Sequence, residues 1–62
     1  MPYVSIRVAG TLSIEQKEEI CARVTSAISE VAGKPPESIL IFIDEVEREN
    51  IGSGGHLLSS LG

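Results

Sequence analysis

Residues 38–46 read SILIFIDEV (Ser38–Val46), and the run from Ile39 to Ile43 contains no polar residue to mark a solvent-facing side. Unbroken apolar runs of this length belong to strands covered on both faces, as in parallel sheets. Working back along the chain, Pro35, Pro36 and Gly33 close an earlier element, because proline cannot continue a helix and glycine suits the position just past its end. That element is a helix. Ile20, Cys21, Val24, Ala27, Ile28 and Val31 recur at helical spacing and form an apolar stripe, with Lys17, Glu18, Glu19, Arg23 and Glu30 largely off it. Ser13 and Gln16, three apart, make a capping box at its start, so the spacing predicts a helix from there to about Ala32.

Further back, Tyr3 to Val8 alternate, placing Val4, Ile6 and Val8 on one face and Tyr3, Ser5 and Arg7 on the other. Two strands joined by one helix form a right-handed crossover. The helix covers one face of the pair, so the second strand needs another subunit over its other face. Beyond it, "EREN" is polar and "IGSGGHLLSS" carries Gly52, Gly54 and Gly55, which suggest tight turns and a small hairpin or tail reaching onto a neighbour. The fold class is α+β: a β-α-β unit with a parallel two-stranded core sheet and a short C-terminal hairpin or tail, completed by oligomerisation.

Composition points the same way. A chain of 62 residues forms a single domain, 1–62, and removes only ~60% of its unfolded surface on folding. One cysteine excludes an intrachain disulfide, and one histidine leaves no zinc-type ligand set, so association supplies what the core lacks. No apolar run nears the ~20 residues that span a bilayer, which argues against a membrane partner. A net charge of −4 with five Lys plus Arg argues against nucleic acid. No secretory leader opens the chain and the thiol is unpaired, so a cytoplasmic location is expected.

Chemistry concentrates at Pro2. Proline lacks a backbone donor and is tolerated at the first position of a strand. Removal of Met1 turns its nitrogen into a free secondary amine beside apolar residues, where burial disfavours the charged form and lowers the pKa. A base with pKa near the working pH is both deprotonated and able to accept a proton. Such an amine can move a proton between the enol and keto forms of a small carbonyl compound, or attack a carbonyl to give an iminium. Neither route needs a cofactor.

The Met-Pro start on a strand, "SIEQKEE", "VTSAIS", the apolar second strand and the closing "IGSGG" together resemble the 4-oxalocrotonate tautomerase family over the whole chain without a gap. The resemblance implies a single tautomerase-like domain over 1–62 that assembles as a hexamer, a trimer of dimers. It implies that Pro2 is the catalytic base acting on a small enol or oxo acid, a chemistry found in aromatic-compound degradation. Family members with that activity place an arginine in the loop after the first strand, a second arginine in the second strand and an aromatic residue before the glycine motif. These positions hold Leu12, Leu40 and Ile51. Leucine supplies neither charge nor a fork of donors, which argues against efficient 4-oxalocrotonate isomerisation and for a drier pocket.

Arg48 and Arg7 are the candidate replacement cations. Other residues are read more plainly. Cys21 falls on the apolar stripe as a small core residue. His56 follows two glycines and reads as surface or interface. Asp44 and Glu45 are adjacent on a strand, so at most one faces a given pocket. "GSGG" lacks the flanking strand and helix of a phosphate loop. Two alternatives stay open: hydratase, dehalogenase or decarboxylase chemistry on the same fold, and a non-catalytic oligomeric binding module.

Overall fold

The computed structural model describes residues 1–61. Strand β1 spans Tyr3–Ala9, helix α1 Ile14–Ala32 and strand β2 Leu40–Val46; two short strands, β3 (Gly52–Ser53) and β4 (His56–Leu57), follow, with single 3-10 turns at Pro36–Ser38, Arg48–Asn50 and Leu58–Ser60. β1 and β2 pair in parallel, Tyr3 opposite Leu40 and Ala9 opposite Val46. The expected β-α-β unit is therefore present, and the C-terminal hairpin forms as a second, antiparallel sheet with Ser53 opposite His56. No helix among the described residues is long and apolar enough to cross a membrane.

Local chemistry fixes the ends of α1. The Gln16 N–H donates to Ser13 Oγ (3.1 Å) and the Ser13 N–H donates to Gln16 Oε1 (2.9 Å), the reciprocal bonds of the capping box. Gly33 ends the helix in the left-handed region at φ 66°, which side chains rarely adopt. The C-terminal hairpin turns on Gly54 and Gly55, with φ 60° and 86°. Positive φ at both central residues matches the twist of a two-residue hairpin.

The alternation predicted for β1 is observed, with Val4, Ile6 and Val8 half-buried and Tyr3, Ser5 and Arg7 exposed. Glu45 shows which side faces the helix: it shares a face with Ile41 and Ile43, and its carboxylate reaches Lys17 of α1. Ile20, Val24 and Ile28 of α1 are half-buried on the same side.

Three expectations change. Val31, on the predicted stripe, is 90% exposed, and Cys21 and Ala27 are exposed as well. The inward helix surface is narrower than the apolar stripe because a two-stranded sheet covers only part of it. Cys21 is accordingly not a core residue in this chain. Lys17, expected off the stripe, is half-buried because Glu45 gives its ammonium a partner on the inner face. Finally, Ile39 precedes β2, closing the 3-10 turn with its N–H on the Pro36 carbonyl, and at 7% exposure it is the only residue in the buried class among those described.

The outer face of the sheet is open. Tyr3, Leu40 and Phe42 lie there exposed, Phe42 at 50%, and the Tyr3 and Phe42 rings meet edge to face at 6.1 Å. The chain has a radius of gyration of 14.8 Å, against ~11 Å for a compact domain of this length. Its accessible surface of 4659 Å² compares with ~3,900 Å² for a folded monomer of this mass. Both excesses reflect a strand pair with cover on one side.

Removing the N-cap side chain tests the helix start. Ser13→Ala should lower stability by about 1 kcal/mol in chemical denaturation at fixed protein concentration; an unchanged midpoint would show that the cap carries no net weight.

Candidate active site

Pro2 sits at the mouth of β1, half-buried, and its carbonyl accepts the Leu40 N–H at 3.0 Å. That bond starts the parallel ladder one residue before the strand, where a missing proline N–H breaks no rung. With Met1 attached the nitrogen is an amide. Met1 itself is 74% exposed. Around this end the side chains are apolar: Tyr3 and Leu40 are paired across the sheet and Phe42 packs its ring against Tyr3.

The opposite end of the sheet holds an open groove of about 770 Å³. Its walls include Arg7, Val8, Val46, Asn50, Ile51 and Leu58. Pro2 precedes the groove-lining Arg7, Val8 and Ala9 by most of a strand, so at ~3.3 Å per residue it lies roughly 16–23 Å from them within one chain. Arg7 points to the outer face, where its guanidinium meets Asp44 loosely at 3.8 Å. Arg48 lies beside the groove, donating one long bond (3.4 Å) to the carbonyl of Leu58, a groove-lining residue.

Glu45, also on the groove wall, gathers two donors. The Lys17 ammonium lies 2.8 Å from Oε1 and the Leu12 N–H donates to Oε2 at 2.7 Å. These hydrogen bonds, Lys17 first and Leu12 second, outweigh desolvation and hold the Glu45 carboxyl below its usual value near 4.5. The network ties the loop before α1 to the end of β2.

A family model described as tautomerase enzyme matches residues 2–60. The chain belongs to the tautomerase family. Among its relatives is a "Probable tautomerase" of Bacillus cereus, 39% identical over 59 residues that cover 95% of this chain and 97% of the relative. A 2-hydroxymuconate tautomerase of Bacillus subtilis is 33% identical, covering 98% of each chain. Among solved structures, one from a study of the 4-oxalocrotonate tautomerase isozymes of Methylibium petroleiphilum superposes with a TM-score of 0.88 at 34% identity, over 98% of each chain. The family and the β-α-β fold expected from sequence are both found, and relatives bearing the tautomerase name support an isomerase role for this chain.

Within a single copy of the chain the candidate residues divide into two groups. Pro2 and Leu40 meet at one end. Arg7 and Ile51 line the groove at the other, with Arg48 beside it and Leu12 on Glu45. His56 lies exposed on β4, and Cys21 is exposed on α1. Asp44 and Glu45 do face opposite ways, one toward Arg7 and the other toward Lys17. The Lys17–Glu45–Leu12 network escaped the sequence reading. Its signal was Glu45 itself, a carboxylate continuing the inward series Ile41, Ile43 and therefore in need of a partner.

Because the Glu45 pKa is lower in the folded state than in the unfolded, its contribution is complete above about pH 4.5 and fades as pH falls through the folded value. Glu45→Gln should therefore lower Tm at about pH 7, with the gap to the parent closing toward about pH 3. A constant gap across a pH series of melting curves would remove the carboxylate from that account.

Proposed function

We propose that this tautomerase, after loss of Met1, uses the Pro2 amine as general base to interconvert enol and keto forms of a small unsaturated 2-oxo acid without a cofactor. The observation that carries the reading is the family match, which begins at Pro2 itself, together with the place of Pro2 at an apolar strand mouth. A free α-amino group titrates at ~7.7–8.0, and proline's is more basic; apolar neighbours such as Leu40 and Tyr3 favour the neutral form. In the reaction the Pro2 nitrogen takes the enol O–H proton. The oxygen electron pair closes the carbonyl, the C=C pair moves to carbon, and the proton held on nitrogen is delivered there. Atoms balance, and the amine is regenerated.

The site is completed between copies. Pro2 and the groove are too far apart to meet in one chain, and the open outer face of Tyr3, Leu40 and Phe42 gives association an apolar surface to bury. A homohexamer arranged as a trimer of dimers fits these requirements and brings a neighbour's groove, with Ile51 and Arg7, to Pro2. Leu12 and Leu40 act as apolar walls in this arrangement. A reducing, cytoplasmic setting suits the exposed thiol of Cys21. Leucine at both positions where related enzymes carry arginine favours one second reading, a binding module in which Pro2 is not used.

Two measurements separate these readings. Intact-mass analysis of the purified protein should show Met1 absent, and Pro2→Ala should reduce ketonisation about 100-fold or more with the circular-dichroism spectrum unchanged. An unchanged rate would leave the binding module. Light scattering should give the mass of six chains; a monomer at working concentration would contradict the shared site.

A further inference from the structure

Cations decide which acids this site can hold, and the chain has few. The sequence contains five Lys plus Arg. A homo-oligomer adds none of a new kind, since every neighbour brings the same five. Arg23 is tied to Glu19 along the helix (2.6 Å), Lys17 to Glu45 (2.8 Å) and Arg7 to Asp44 (3.8 Å). Lys34 is exposed beyond the C-terminal end of α1, at the Pro2 end of the chain, and its ammonium is a point charge without the planar fork of donors that grips a carboxylate. Arg48 remains. Among the described residues it is the one guanidinium with no carboxylate partner, and its single long bond to the Leu58 carbonyl sets it at the edge of the groove.

We propose that this tautomerase is specific for enols carrying one carboxylate and one apolar arm, an aryl or branched alkyl group, with Arg48 anchoring the carboxylate. The inference rests on the reading of Pro2 as the base facing a neighbour's groove. Arg48 offers a charged, forked donor for one carboxylate. The apolar arm lies against Leu40 and Ile51, at positions where a second acidic group would find no donor. Arg7 is a poorer anchor for a second carboxylate, because Asp44 lies 3.8 Å from its guanidinium and brings a negative charge to the same wall. A dicarboxylate would therefore leave one anion unpaired against leucine, which costs binding in both ground and transition states.

The test compares kcat/KM for the enol of phenylpyruvate, a monocarboxylate with an aryl arm, and 2-hydroxymuconate, a dicarboxylate, on the Met1-processed protein. The monocarboxylate should lead by on the order of 100-fold, the usual scale for one missing electrostatic donor. Arg48→Gln should raise KM for the monocarboxylate about tenfold with kcat nearly kept, Arg48→Lys should recover part of that loss, and Leu40→Arg should shift the ratio toward the dicarboxylate. Equal or better turnover of the dicarboxylate by the parent, or an Arg48→Gln variant with unchanged KM, overturns the proposal. Pro2→Ala separates the two levels. If it abolishes turnover while the substrate ratio is reversed, only the specificity fails; if it leaves turnover intact, or the parent converts neither acid, the catalytic reading falls and the specificity with it.

Discussion

A two-stranded parallel sheet with one helix can be covered on one side only, and every other feature of this protein follows from that. β1 and β2 present two apolar faces at their early residues, α1 covers the face of Val4, Ile6, Ile41 and Ile43, and Tyr3, Leu40 and Phe42 are left in water. Exposing that much apolar surface is unfavourable by ~25 cal/mol for every Å² that burial would remove. The extended shape and the single buried residue among those described, Ile39, are the same fact seen in the dimensions of the chain.

Strand length then sets the layout of the chemistry. Most of a strand separates the Pro2 end from the groove end, and among the described residues no loop folds back to join them. Copies that pack through the open sheet face and carry their grooves to one another's N-termini would cover the apolar surface and complete the catalytic site together. Stability and activity are coupled under this reading, because both depend on the same contacts.

The alternation of side chains along β2 also sorts charge. Asp44 and Glu45 are adjacent in sequence yet serve different partners, Arg7 on the outer face and Lys17 on the inner. The inner pair pins the start of α1 to the end of β2 through the Leu12 N–H and is the more strongly bonded. The outer pair sets an acid beside the cation of the groove wall. The polarity of the candidate site is thus decided by strand parity, and Arg48 stands out because the turn that carries it, Arg48–Asn50, lies outside that alternation.

Much was legible without the structure. Period-two alternation over Tyr3–Val8, the Ser13–Gln16 box, the Gly33 stop and the apolar run that becomes β2 are local signals, and local signals decide closely where elements begin and end. Pro2 could be proposed as a base from the sequence too, because that chemistry depends on its own nitrogen and its place beside a removable methionine. The tertiary structure alone decided which part of the helix stripe is covered, leaving Cys21 and Val31 outside and drawing Lys17 in. It also decided that Pro2 and the groove lie at opposite ends of a strand. Spacing along a chain fixes which residues share a face, but what lies across from that face depends on the width of the sheet and the register of its strands.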